Sequence, residues 1–172
     1  MLLECGCPST YPAWHDQDVN LGGHCIYRVP IPTFLHMPIA FELQLQRQQA
    51  ALQQLGLRER WPGFALVRTG MFGGTAVRLI EDTASLSRHV SHFPIPYWLR
   101  AHLHPGGIGT LRPAVREMQA YLLDHGRMPR DLYLSHLTCP RCADERGGEK
   151  ILLLRHWTES AKLKSSGNPR GA

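Results

Sequence analysis

The sequence has no apolar run approaching the roughly 18 residues that a membrane-crossing helix requires. It also has almost no lysine, with 3 Lys against 16 Arg in 172 residues. The first absence argues against a membrane partner. The second leaves a net charge of +5 resting on dispersed arginines, with no cluster denser than Arg58-Glu59-Arg60. Nucleic-acid binders usually gather basic residues along one stripe or helix, so the sequence argues against nucleic acid as a partner. The opening Met1-Leu2-Leu3-Glu4-Cys5-Gly6-Cys7 lacks the basic and apolar regions of a secretory signal. A soluble, cytoplasmic protein of bacterial type is expected. No Gly-x-Ser-x-Gly elbow is present, and no glycine loop leads into Lys-Ser/Thr.

With 43% apolar and 19% charged residues the chain is compositionally globular, and its length suits one domain. Residues 1–24 have no apolar period and read as an irregular segment. Residues 25–38 carry Pro30, Pro32 and Pro38, which suits an edge strand or an extended strap. From Ile39 to Leu57 the spacing of Phe41, Leu45, Leu52 and Leu55 predicts a helix with one apolar face, stopped by Gly56. Residues 64–69 and 75–81 read as a hairpin joined by Gly70-Met71-Phe72-Gly73-Gly74. A further strand is expected at 88–93, then a proline-punctuated stretch. A second helix is expected from about Pro113 to His125, with Val115, Met118, Leu122 and His125 on one face. Residues 131–138 and 150–157 form another hairpin, and the run Ile151-Leu152-Leu153-Leu154 suggests a strand covered on both faces. Residues 29–36 and 93–100 share Pro-Ile-Pro, an aromatic and Leu, and could be equivalent straps over the core.

The resulting expectation is an α+β fold: a mainly antiparallel sheet built from hairpins, two principal helices, and a C-terminal hairpin bearing Cys139-Pro140-Arg141-Cys142. Residues 1–157 would form one domain, with the N-terminal cysteine segment packed near the C-terminal hairpin, and 158–172 a disordered tail.

The cysteines carry the chemistry. Five in a chain without an export signal do not make a disulfide scaffold. A redox Cys-x-x-Cys opens a helix whose dipole activates the first thiol, whereas here a polar turn and a strand follow. The strand–Cys-x-x-Cys–turn–strand order resembles a zinc-ribbon knuckle, which implies two sulfurs aimed at one ion. Cys5 and Cys7 are the natural second pair, so the expected metal ligands are Cys5, Cys7, Cys139 and Cys142, with His15, His24 or Cys25 as substitutes for Cys5 or Cys7. Zinc suits four thiolates, and iron uses the same set. A structural site, with a binding or accessory function and an unidentified small-molecule or protein ligand, is the leading reading. A Cys-based redox protein remains an alternative.

A rival reading, from a different class, uses His102 and His104. On an extended segment they share a face and could chelate a catalytic ion, with His15, His24 or His36 as third ligand and Asp16 or Asp18 as general base. His136, just ahead of the Cys-x-x-Cys, could donate to a metal-bound thiolate. His125 is expected to be half-buried at a helix end. Asp16-Gln17-Asp18-Val19-Asn20 opens like a calcium loop, but Leu21 and Tyr27 occupy its sixth and twelfth places. Finally, Trp14, Phe34, Tyr97 and Trp98, beside the proline segments, either line a groove or plug the end of the sheet.

Overall fold

A computed structural model describes residues 3–161. The strands are β1 (Gln17–Asn20), β2 (Cys25–Ile31), β3 (Thr33–Phe34), β4 (Met37–Pro38), β5 (Ala65–Thr69), β6 (Gly74–Leu79), β7 (Val90–His92), β8 (Trp98–Pro105), β9 (Arg127–His136) and β10 (Lys150–Glu159). The helices are α1 (Phe41–Gln54) and α2 (Leu111–Asp124). Eight strands form one sheet in the order β1-β8-β10-β9-β5-β6-β2-β7, and every pairing is antiparallel. The mixed α and β character, the large antiparallel sheet and the two helices agree with the sequence-based expectation.

The topology holds an internal duplication. β2, α1, β5 and β6 make one strand–helix–hairpin unit, and β8, α2, β9 and β10 make a second. In each, the hairpin's second strand lies between its first strand and the strand that precedes the helix. The units meet where β5 abuts β9, registered by a single pair, Val67 and Leu134. Each unit's outer edge is then covered from the other side of the chain. β1, which precedes the first unit, pairs with β8 of the second, and β7, which precedes the second, pairs with β2 of the first.

The period-two pattern sorts side chains onto two faces. On one face Leu111 and Met118 of α2 cover Ile151 and Leu153. On the same face Phe41 and Leu45 of α1 pack near Ile31, Ala65, Val67 and Ala76. The opposite face holds the main core, with Ile26, Leu66, Val77, Leu79, Leu99, Leu152 and Leu154 under a layer of aromatics. The Ile151–Leu154 run is therefore covered on both sides, as its unbroken apolar character requires.

The aromatics close this core. Trp14 meets Trp61 edge-on at 5.4 Å, and Tyr97 is stacked between Phe93 at 4.4 Å and His156 at 4.1 Å. Tyr97 also shares a 2.9 Å hydroxyl hydrogen bond with Tyr133. Trp98 lies on Trp157, and Phe34 is exposed far from them on the β3–β4 hairpin. These four residues line no common groove.

Several local expectations need correction. Residues 98–100, the end of the 93–100 stretch read as a strap, open strand β8, which is paired with β1 and β10, and part of the segment 1–24 forms β1. β2 is internal only over Cys25–Tyr27, where β7 covers it; Pro30 lies beyond β7 and faces a free edge, which is why proline is tolerated. The two Pro-Ile-Pro stretches are not equivalent, because one ends β2 and the other precedes β8. β10 runs to Glu159, so the expected tail cannot start at 158; residues 162–172 lie outside the described residues. No helix among the described residues is long and apolar enough to cross a membrane.

Candidate metal centre

Cys5, Cys7, Cys139 and Cys142 converge, with all four sulfurs within 4.8 Å of one another. Two tight turns deliver them. Around the first pair, Gly6 takes φ 83°, its N–H donates to the Leu3 carbonyl at 2.8 Å, and Leu3 N–H donates to the Cys7 carbonyl at 3.0 Å. A side chain on Gly6 would be strained in this left-handed conformation. Around the second pair, the Cys142 and Ala143 N–H groups both donate to the Cys139 carbonyl, at 3.0 and 2.9 Å. The Cys139 N–H points at the Cys142 sulfur at 3.4 Å, and the two sulfurs lie 4.0 Å apart.

Arg146 joins the segments. Its Nη1 donates to the carbonyls of Pro8, at 3.0 Å, and Leu137, at 2.8 Å. The N-terminal cysteine segment thus packs on the β9–β10 connection even where no sulfur is involved.

The thiols are electrostatically unequal. Burial pushes the Cys7 thiol well up, reinforced by hydrogen bonding to Cys139, Cys5 and Cys142. For Cys139 burial works in the same direction but is outweighed. The backbone N–H groups of Arg141 and Cys142 and the thiols of Cys7 and Cys5 stabilise its thiolate, bringing it to about 7. One sulfur is therefore primed to ionise while its neighbours donate to it, an arrangement that favours capture of a cation by the cluster.

None of the expected substitutes joins this group. Cys25 is fully buried beneath α1 with Leu52 and Ile80, and its sulfur groups with Asp82 and His92. His15 groups with Asp16 and His102, and His24 joins no such group among the described residues.

The His102/His104 chelate does not form. His104 Nε2 is 2.8 Å from the Thr110 hydroxyl, whereas His102 Nδ1 is 2.7 Å from Asp16 Oδ1. His15 Nδ1 accepts the Leu103 N–H at 3.1 Å, so its proton resides on Nε2, 3.3 Å from Asp16 Oδ2. Both imidazoles donate to one carboxylate, and the His102 hydrogen bond holds Asp16 below the usual carboxylate range. The ligand atoms of His15, Asp16 and His102 lie within 4.8 Å of one another, and His104 is not among them. Asp18 instead pairs with Arg127 at 2.8 Å. His36 lies at the β3–β4 turn, away from this group. His125 is exposed, its Nδ1 donating to the Tyr121 carbonyl at 2.7 Å.

Beside the cysteines lies a cavity of about 680 Å³ that the sequence did not announce. Three of the four cysteines line it, with Phe41, Leu45 and Gln49 of α1, Ile151 of β10 and His136 of β9. His136 contacts the Phe41 ring edge-on at 5.6 Å, and burial holds its imidazole below the ordinary histidine range. The Gln49 side-chain oxygen is buried without a hydrogen-bond partner. Arg78 closes one wall, held at 2.7 Å by the buried Glu59 carboxylate and at 3.0 Å by Gln48 Oε1. Burial pulls the Arg78 pKa down, and Glu59 opposes that shift.

No protein-family model matches the chain, and no curated protein matches it. Two solved structures share its architecture. The crystal structure of the EcmrR C-terminal domain superposes with a TM-score of 0.63 at 10% identity, covering 86% of this chain and 99% of that one. EcmrR in a cryo-EM structure of an EcmrR–DNA complex gives 0.58 at 10% identity, covering 83% of this chain and 57% of that one. The second finding overturns the expectation against a nucleic-acid partner. A chain sharing this fold occurs in a DNA complex, and the shared part spans little more than half of it, so the lack of a clustered basic stripe on such a domain is no argument against nucleic acid. The chain has the fold of the EcmrR C-terminal domain.

Proposed function

We propose that Cys5, Cys7, Cys139 and Cys142 bind one metal ion as a closed structural site, with zinc as the favoured ion. The ion would close a zinc-knuckle-like hairpin onto the N-terminal segment and hold the chain as a single α+β domain. The observation that carries this reading is the convergence of four sulfurs from two segments separated by residues 8–138. A Zn–S bond of about 2.3 Å puts tetrahedral sulfurs about 3.8 Å apart. The 4.0 Å between Cys139 and Cys142 matches that edge and is about twice a disulfide bond. Binding such an ion is worth about 10–16 kcal/mol in small zinc peptides, ample to fix a segment with little ladder of its own.

The domain's role on this reading is binding or accessory. The cavity beside the cysteines offers an apolar wall, an orphaned acceptor on Gln49 and space for a small molecule. The likeness to a C-terminal domain of a protein seen with DNA supports the role of a regulator domain. A nucleic-acid partner then belongs to the assembly in which the domain works.

The deciding experiment is elemental analysis of protein purified without chelator or affinity-tag metal, paired with thiol counting before and after denaturation. One zinc per chain, with the thiols shielded until denaturation and the metal lost in Cys139→Ser, is the expected result. Iron in that stoichiometry would redirect the site to redox chemistry. A metal-free protein with freely reactive thiols would overturn the reading.

A further inference from the structure

Two loops at one end of the sheet expose an unusual amount of apolar surface. The β3–β4 turn region presents Phe34 (57% exposed), Leu35 (59%), Met37 (59%) and Ile39 (52%), and the β5–β6 turn presents Met71 (51%) and Phe72 (75%). They form one unit: Leu35 N–H donates to the Met71 carbonyl at 2.8 Å, and the Thr33 hydroxyl donates to the Gly70 carbonyl at 2.7 Å. Scattered apolar side chains on a surface are ordinary, but a contiguous cluster of this size marks an interaction site.

The backbone is built to hold these residues out. Leu35 and His36 occupy the two central positions of a two-residue hairpin turn with φ of 49° and 66°. Such turns take Asn-Gly or its relatives, because a β-carbon is strained in the left-handed region. The chain nevertheless places leucine at the tip, where it gains no burial. Neither the metal site nor the core explains that choice.

The surroundings state the chemistry of the partner. A shallow cleft running from His36 is lined by Arg68, Arg130 and Arg155, with Asp131 as its single carboxylate. Asp131 is 3.4 Å from Arg68 and its charge also acts on Arg155, so three guanidinium groups share one carboxylate and the cleft keeps a net positive charge. Arg130 reaches the Thr158 hydroxyl, and Arg155 donates to the Arg130 carbonyl. Adjoining loop tips with large apolar side chains, and a basic rim behind them, match an interface in which hydrocarbon lies ahead of negative charge. A second copy of this chain would set arginine against arginine.

We propose that the tips carrying Phe34, Leu35, Met71 and Phe72 dock peripherally on an anionic lipid surface, with Arg130 and Arg155 at headgroup depth. No helix needs to cross the bilayer. Apolar insertion supplies part of the attraction and the charge of the leaflet the rest, so the interaction is salt-sensitive and selective for acidic lipid. It is independent of the metal site.

The test is flotation of the full chain with phosphatidylcholine vesicles, with and without phosphatidylserine. Binding is expected only with phosphatidylserine and should weaken as salt rises. Phe72→Asp and Leu35→Asp should abolish it, and Arg130→Ala should lower the partition coefficient roughly fivefold, the effect of one basic residue near such a surface. Leu86→Asp, at a fully exposed apolar position outside the two loops, should leave binding unchanged. Circular dichroism verifies that each variant is folded. Absence of binding to acidic vesicles, or equal binding to both vesicle types, overturns the proposal. So does self-association in sedimentation that Phe72→Asp abolishes, which would assign the patch to a second copy.

Discussion

Arg78, on the wall of the cavity, faces Glu59 at 2.7 Å, and both side chains are at most 5% exposed. Removing one partner of such a pair strands a charge in a dry site, which costs about 3–5 kcal/mol, whereas exchanging both for apolar groups can be nearly neutral. Arg78→Met should therefore lower the urea midpoint sharply, and adding Glu59→Leu should recover much of the loss. Nothing in the sequence marked this pair, because Arg58-Glu59-Arg60 reads as an ordinary solvated charge run. His136 and His156 make a second prediction. Burial holds both imidazoles below the usual value, so below about pH 6.5 the unfolded chain binds more protons than the folded one. Their contribution is fully present above that pH and is lost as the pH falls through the folded values. Urea midpoints at about pH 7.5 and about pH 5.5 should show lower stability in acid, and His156→Phe should blunt the difference.

Among the elements, the helices were the most legible. Phe41 and Leu45 turn toward the sheet and Leu52 is buried, while Leu111, Met118 and Leu122 are buried along α2. Gly56 and Gly126, both at positive φ, stand where the helices stop. The Gly70–Gly74 hairpin was legible too, closed by Gly70 N–H on the Gly73 carbonyl. β8 was obscured because the prolines before it suggested a strap, and its pairing with both β1 and β10 is a long-range fact that no local pattern records. The cysteine site was readable because thiols are scarce and chemically specific. The His-x-His pattern misled because strand alternation puts two rings on one face but says nothing of Thr110 or Asp16. The β3–β4 turn yields a prediction at this scale. Replacing Leu35-His36 by Asn-Gly relieves two left-handed side-chain positions, each costing about 1–2 kcal/mol, and should raise the melting temperature while weakening vesicle binding.

For the whole molecule, the arrangement of edges has a consequence for cutting the chain. The stretch between Glu81 and Val90 is largely exposed, and Leu86 is wholly so. A break there yields two polypeptides, each holding the strand that completes its counterpart: the first carries β1, which belongs beside β8, and the second carries β7, which belongs beside β2. Each also holds two of the four cysteines. The pieces are reciprocal donors, so coexpression of 1–85 and 86–172 should reconstitute a complex that copurifies through a tag on one half, while either half alone precipitates. The nicked complex should fall apart with chelator more readily than the intact chain loses its fold. Two polypeptides that stay soluble apart would show that the exchanged strands are dispensable. Association makes the crossed strands a lock, one that lets a severed backbone keep its shape.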